Sequence, residues 1–499
     1  MLNELKQQSN MTNTLNGAAA YRSSESECLD FFALCGACRN AEEERLCNMF
    51  MRAYAESPDT AMKILFYARD IRKGIGERNF FRVILTHAAW YCPVSVKKNI
   101  KYIEEYGRLD DLLELLDTPC EKALGDYLKE KLEKDISDMA NGKPVSLLAK
   151  WLPSVNTSSE KTRKKAAMVR KLLGMSEKKY RKTLASLRTY IDVLEKRLCE
   201  KDYTFDYEKQ PSKALFNYRQ AFVRNDEERY KEFLCRVNKG EAVLNTSSLT
   251  PYDIVQKCIN IHSDFYGNYE KPEFQTEVEI LDTTWKSLPV YGSGQNAIAV
   301  VDGSGSMYLS LSGKSKAMPI SVAVSLGIYF AEHSMGEYAN HFITFSASPR
   351  LIELKGENIY EKTKYCMSYN EVSNTNIEKV FNLILETAVN NKIPKSEMPD
   401  VIYIISDMEF DAVSSGDDKT VFENAKENYN SCGYDLPLVV FWNVDSLTEQ
   451  MPVSKNDTGA VLVSGMSPTI FDMVMSNDLD PMKYMHMVLN SGRYDNIKA

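Results

Sequence analysis

Long apolar runs are missing from this sequence. The longest, such as AIAVV and LPLVVFW, have strand length and fall far short of the roughly 20 residues that a membrane-spanning helix needs. The N-terminal stretch MLNELKQQSNMTNTLNG has no apolar segment behind a positive start, so no secretory signal is read there. Histidine is scarce: His87, His262, His333, His341 and His486 are the only five, scattered without HExxH or paired spacing. A G-x-S-x-G elbow is absent and no nucleophile–base pair can be located, so no catalytic residues are expected and an enzyme is not. Gly313-Lys314-Ser315 looks like the end of a P-loop, but the glycine that should open it falls at Tyr308, which rejects a nucleotide site.

Cysteine is neither dense nor even in number: there are 11 in 499 residues. With no secretory signal, reduced thiols and a cytoplasmic location are expected, with no membrane partner. Cys28, Cys35, Cys38 and Cys47 cluster, and Cys35-Gly36-Ala37-Cys38 is a CxxC. A zinc site needs four well-spaced ligands, whereas CLDFFALCGACRNAEEERLCNMFMRAYAE reads as amphipathic helix in which cysteine is a small apolar residue.

What is present is ordinary for a globular chain, 44% hydrophobic and 26% charged residues, with a length that suits two to four domains. The net charge of −8 is unevenly spread. Residues 291–499 carry 15 basic and 26 acidic side chains, while 1–290 carry 46 and 43, leaving room for a polyanion partner on the first part.

The pattern changes near residue 290. From about 25 to 290 the apolar spacing is helical, as in DTAMKILFYARDI, NFFRVILTHAAWY and ERYKEFLCRVN. Breakers such as Lys73-Gly74-Ile75-Gly76 and Cys92-Pro93 recur, and no strict repeat period is found. A succession of short helices predicts an α-helical repeat layer over 15–290. After Leu288-Pro289, strand-like runs (QNAIAVVD, HFITFSA, RLIELK, DVIYIISD, LPLVVFWNV, GAVLVSG) alternate with helical ones (SKAMPISVAVSLGIYFAEH, NIEKVFNLILETAVN, VFENAKENYNSCG). Alternation with fully apolar strands predicts an α/β domain over 291–499, its mostly parallel sheet covered on both faces.

Chemistry concentrates at one strand end. AIAVV runs into Asp302-Gly303-Ser304-Gly305-Ser306, a D-x-S-x-S string at the position where open α/β sheets bind ligands. One carboxylate and two hydroxyls are hard oxygen donors, and the glycines let the loop turn tightly. Ser373-Asn374-Thr375-Asn376 can add Thr375, and VIYIIS ends in Asp407. The same string alone is a common turn, and a real domain could carry a structural metal here or none. Glu409 and Asp411, close behind Asp407, either tune the site or face solvent, and solvent is the expected place for them. Together these residues resemble the metal-ion-dependent adhesion site of von Willebrand factor A domains. That resemblance implies a Rossmann-type sheet and one Mg²⁺ held by Asp302, Ser304, Ser306, Thr375 and Asp407. Its open position would take a carboxylate from an acidic protein partner.

The first part is marked by a basic run. Lys161, Arg163, Lys164, Lys165, Arg170, Lys171, Lys178, Lys179, Arg181, Lys182 and Arg188 face only Glu177, with Tyr180 and Tyr190 interleaved and Lys150-Trp151 upstream. Such density attracts phosphates, and aromatics can stack on unpaired bases, although most charge runs are solvated helix faces. A second patch gathers Arg69, Arg72, Lys73, Arg78 and Arg82 around a Gly-x-Gly turn.

The segments ARDIRKGIGERNFFR, YGRLDDLLELLD and SLLAKWLPS, followed by a metal-site domain, resemble the TROVE/Ro family, and more closely a group of bacterial, phage and plant proteins of the same architecture. The resemblance implies HEAT-like repeats that bind small non-coding RNA, with Arg69, Arg72, Lys73 and Arg78 on the RNA-facing surface. The expectation is a non-catalytic RNA-binding protein in small-RNA stabilisation or quality control. The alternative is a scaffold that docks an acidic partner through Mg²⁺, without RNA.

Overall fold

Strands whose residues are all apolar need cover on both faces, and the structure provides it. The computed structural model describes residues 5, 8–264, 271–291, 296–308, 318–346, 348–369, 376–412, 419–467 and 479–499. Two short strands come first, β1 (Met11–Asn13) and β2 (Ala19–Tyr21). A six-stranded sheet follows from β3 (Ala297–Asp302), β4 (His341–Phe345), β5 (Leu351–Glu353), β6 (Val401–Ser406), β7 (Leu438–Asn443) and β8 (Ala460–Ser464). Its order is β5-β4-β3-β6-β7-β8, parallel except for the β4–β5 edge pair. Every residue of β3, β6, β7 and β8 is buried, the signature of a doubly covered sheet.

The chain leaves β3 toward β4 on one side and later returns to β6 on the other. The tips of β3 and β6 therefore flank the point where the strand order reverses, the usual ligand position of an open α/β sheet. The Pro319–His333 helix packs directly on β3 and is buried from Pro319 to Ala331. Gly327 permits this, because a Cβ there would meet Val301 Cγ2 at 2.4 Å.

The first part is helical as expected, with helices such as Glu43–Glu56, Pro58–Arg69, Arg78–Tyr91, Glu121–Ala140, Glu160–Leu172 and Glu177–Tyr190 joined by short turns. Two differences from the sequence reading stand out. The cysteine-bearing segment is two helices, Glu27–Leu34 and Glu43–Glu56, because Cys35–Glu42 turns between them. Cys28, Cys35 and Cys38 are buried and Cys47 half-buried; burial pushes the Cys38 thiol up to about 11 and raises Cys35 further. The β1–β2 hairpin was not legible, since three-residue strands carry no periodicity.

That hairpin belongs spatially to the sheet end of the molecule. Tyr21 and Met451 exchange backbone hydrogen bonds of 2.9 and 2.8 Å, and Thr14 Oγ1 donates to Phe410 O at 2.5 Å. The far end of the chain crosses the other way. Arg493 pairs with Asp70 at 2.8 Å, Tyr494 stacks on Tyr106 at 5.7 Å, and Ile497 is fully buried against the helical part. One continuous apolar core thus runs through both parts, and a smaller aromatic core (Phe205, Tyr207, Phe222, Tyr230, Phe233) stands beside it. The turn 73–76 of the RDIRKGIGER segment is a packing device. A Cβ on Gly74 would lie 2.1 Å from Tyr67 O, and Glu77 N donates to Ala68 O at 2.7 Å.

Candidate functional site

Two places gather the residues that the sequence singled out, one anionic and one cationic. At the first, β3 and β6 lie side by side in register, so Asp302 and Asp407 come to neighbouring strand tips. Both carboxylates are buried. Asp302 Oδ1 accepts from Ser304 N at 2.8 Å, and its Oδ2 accepts from Ser406 Oγ at 2.6 Å. Asp407 Oδ1 accepts from Glu409 N at 3.2 Å, across a turn in which Met408 has φ +65°. The Ser304 and Ser306 hydroxyls stand 3.1 Å apart. Burial, and then the charge of Asp407, push Asp302 well above the usual carboxylate range; burial also raises Asp407. Two buried carboxylates that resist joint ionisation, with hydroxyls beside them, form a hard-oxygen donor set that a divalent cation would neutralise. Four of the five anticipated ligands are therefore brought together; Thr375 lies outside the described residues.

Glu409 corrects the sequence reading. It is 2% exposed, and its carboxylate accepts from Leu15 N at 2.7 Å, Thr448 Oγ1 at 2.8 Å and Gln450 Nε2 at 2.7 Å. Its role is to fasten the N-terminal segment to the loop after β6, a partnership nearly 400 residues apart in the chain. Asp411 is half-buried and bridges to Gly17.

The cationic place is built on the Glu160–Leu172 and Glu177–Tyr190 helices. Each starts at a serine cap: Ser159 Oγ and Ser176 Oγ accept from Thr162 N and Lys179 N, both at 3.3 Å. Their apolar positions, Ala166, Val169, Tyr180, Leu184 and Leu187, are buried, which turns the basic positions outward. Lys161, Lys171, Lys178, Lys179 and Lys182 are exposed and make no side-chain ion pair or hydrogen bond among the described residues. The other cations of the run are engaged. Lys164 pairs with Glu160 at 2.8 Å and Lys165 with Glu114 at 3.3 Å. Arg163 donates to the Thr157 and Ser158 carbonyls, and Arg170 to Met175 O at 3.0 Å. Lys150 pairs with Glu195 at 3.0 Å. Tyr180 is no stacking platform: it is 1% exposed and donates to Pro153 O at 2.9 Å.

Between the Glu177–Tyr190 helix and the Ser154–Val155–Asn156 strap lies an open cleft of about 770 Å³. Lys178, Arg181, Lys182 and Arg188 line it against the single acid Glu177. Arg188 fixes the wall, donating to Ala149 O, Leu152 O and Ser154 Oγ at 2.7 Å each. Asn156, with its amide oxygen turned toward Arg181, accepts from Nε and Nη2 at 3.1 Å. Ser154 and Asn156 were not singled out from sequence; the string SVNTSS directly after Leu152-Pro153 was the available signal.

The second basic patch divides. Arg69 is withdrawn from the RNA-facing set: it is 2% exposed, its Nε donating to Asp111 Oδ2 at 2.8 Å, because Asp111 is buried and needs a cation. Arg82 joins the same network through Asp110 at 2.6 Å and Asp111 at 2.5 Å. Arg72 is exposed and donates to Glu105 O. Lys73 and Arg78 are exposed without a side-chain partner among the described residues. Glu114, near both Lys165 and Arg82, connects this network to the basic helices.

The family described as "Domain of unknown function (DUF2828)" matches residues 14–126 and 122–290, and "Domain of unknown function (DUF7788)" matches 296–491. "Uncharacterized protein L728" of Acanthamoeba polyphaga mimivirus is 30% identical, over 96% of this chain and 87% of its own length. This protein belongs to the DUF2828 family. Among solved structures, the Ro (RSR) protein of Deinococcus radiodurans aligns with a TM-score of 0.36 and 12% identity, covering 94% of this chain and all of its own.

Proposed function

We propose that this is a non-catalytic, Ro-like RNA-binding protein acting in the cytoplasm on small non-coding or structured RNA. One observation carries the reading: five exposed lysines without ion-pair partners among the described residues lie on two successive helices, and two of them, Lys178 and Lys182, line a cleft together with Arg181 and Arg188. Unpaired, solvated ammonium groups are what phosphate contacts with counterion release require, whereas cations already spent on ion pairs add little. Among the described residues no helix is long and apolar enough to cross a membrane.

The test is binding of labelled structured RNA with a single-stranded tail across a salt series, beside the Lys161→Glu/Lys171→Glu/Lys179→Glu variant. The reading expects tight binding with a steep salt slope, strongly weakened in the variant. No binding by the unmodified protein at low salt would sink it.

The strand-tip carboxylates favour a second component. Asp302, Ser304, Ser306 and Asp407, with Thr375, would hold Mg²⁺, which when bound offers an open position to a carboxylate of an acidic protein partner. Asp302 and Asp407 hold the charge, and Ser406 orients Asp302 through its 2.6 Å hydrogen bond. Were this the whole function, the protein would act as a scaffold without RNA. It would then copurify with protein in a chelator-sensitive way and carry no material absorbing at 260 nm.

A further inference from the structure

We infer that the cleft beside the Glu177–Tyr190 helix receives an unpaired nucleotide of single-stranded RNA, its base against the apolar ledge and its phosphate at the cationic rim. This rests on the RNA-binding reading and specifies which form of RNA the protein selects.

The cleft has two chemically different halves. Positions 178, 181, 182 and 185 follow i, i+3, i+4 and i+7, so they form one stripe along the helix. Three are cations at the rim and the fourth, Ala185, stands with Leu184 on an apolar ledge, with Val155 the apolar residue of the strap. The opposite wall carries the Ser154 hydroxyl and the Asn156 amide, groups that can hydrogen-bond a base edge. A purely electrostatic surface needs no ledge, and a purely apolar ligand needs no rim of Lys178, Arg181 and Lys182. A nucleotide uses both, having a planar face, a polar edge and a phosphate.

Size and stiffness agree with that assignment. About 770 Å³ falls within the roughly 300–1,000 Å³ of small-ligand sites. The walls are braced before any ligand arrives, by the three hydrogen bonds of Arg188 and by Tyr180 on Pro153 O. Bracing lowers the ordering cost of binding. A double helix keeps its base faces stacked and its pairing edges occupied, so it can offer this cleft only backbone phosphates. The ledge and the Ser154–Asn156 wall therefore distinguish unpaired from paired RNA, while the outer lysines do not.

The experiment uses the full chain, a labelled ten-residue uridine oligonucleotide, a blunt RNA duplex of about the same length, and uridine monophosphate as competitor. Ala185→Trp fills the ledge without changing charge at an exposed helix position, and Lys178→Ala/Lys182→Ala strips the rim. Expected are a loss of about tenfold or more in affinity for the single strand with Ala185→Trp and less than about twofold for the duplex. The rim variant should weaken both RNAs and lower both salt slopes by about one to two. Equal effects of Ala185→Trp on the two RNAs, or none, overturn the proposal. So do competition by poly-glutamate that matches uridine oligomer charge for charge, and monophosphate that binds as tightly as the oligomer, which would assign the cleft to free nucleotides. Should Ala185→Trp lose its native thermal transition, Asn156→Ala takes its place with the same expected selectivity. Failure of the unmodified protein to bind either RNA would instead reject the RNA reading as a whole.

Discussion

The strand-tip site and the basic cleft use charge in opposite ways. At the strand tips the carboxyl groups of Asp302 and Asp407 are buried, Asp302 held by hydrogen bonds of 2.6 and 2.8 Å, and Glu409 beside them is spent on tethering distant chain. At the cleft Lys178 and Lys182 stand in water without a side-chain partner among the described residues. Buried charge without full compensation lowers stability until something neutralises it, so the first site is linked to folding. Exposed charge costs the fold almost nothing and changes what approaches the surface, so the second bears little on folding. The same division runs through the RDIRKGIGER segment, where Arg69 is structural and Arg78 solvent-facing within ten residues.

That contrast breaks most sharply at Arg69. Arg69→Ala leaves Asp111 buried without one of its cations and should cost about 3–5 kcal/mol in urea unfolding, whereas Arg78→Ala should stay within about 0.5 kcal/mol. Equal effects would remove the distinction.

Asp30 sharpens the same point without an ion pair. Burial raises its carboxyl to about 6, even though Ser24 N donates to it at 2.9 Å. Its folded-state pKa lies above the unfolded one, so its contribution to stability is full below about pH 4 and is lost as pH rises through about 6. Asp30→Asn should flatten stability over that window, by at most about 3 kcal/mol, measured by denaturant midpoints from pH 4 to 7. A window left unchanged would show that Asp30 titrates normally.

For the cleft side, the Lys161→Glu/Lys171→Glu/Lys179→Glu variant should lose roughly 100-fold in RNA affinity at low salt while its thermal midpoint moves by no more than a degree or two. A large midpoint shift would mean that those lysines hold the fold. The smallest expected effect is at the strand tips. Mg²⁺ should raise the unmodified protein's thermal midpoint by a few degrees, in proportion to its concentration above the dissociation constant. In Asp407→Asn the metal-free midpoint should rise slightly and the Mg²⁺ response disappear. Retained Mg²⁺ stabilisation in that variant would detach the ion from these ligands.

The strand-tip residues were legible because they are attached to a local pattern. AIAVV and VIYIIS read as buried strands, and Asp302 and Asp407 are the first charged residues at their ends, Asp407 following the strand's terminal Ser406. The register between β3 and β6 then places them together without further information. Glu409 was misread for the complementary reason. Its partners, Leu15, Thr448 and Gln450, come from segments whose spacing says nothing about it. Tyr180 was misread as a surface aromatic although it occupies a buried position of its own helix, four residues before Leu184.

Local periodicity and composition therefore determined the order of helices and strands, the carboxylate tips and the density of the basic run, because each depends on neighbours within a few turns. Tertiary structure alone decided which basic residues stay free, since that depends on whether Asp111, Glu114 or Glu195 arrives beside them. It also decided the cleft. The helix stripe faces a cleft only because Arg188 and Tyr180 hold the Ser154–Asn156 strap opposite it, some 30 residues away in the chain, and such contacts leave no periodic trace.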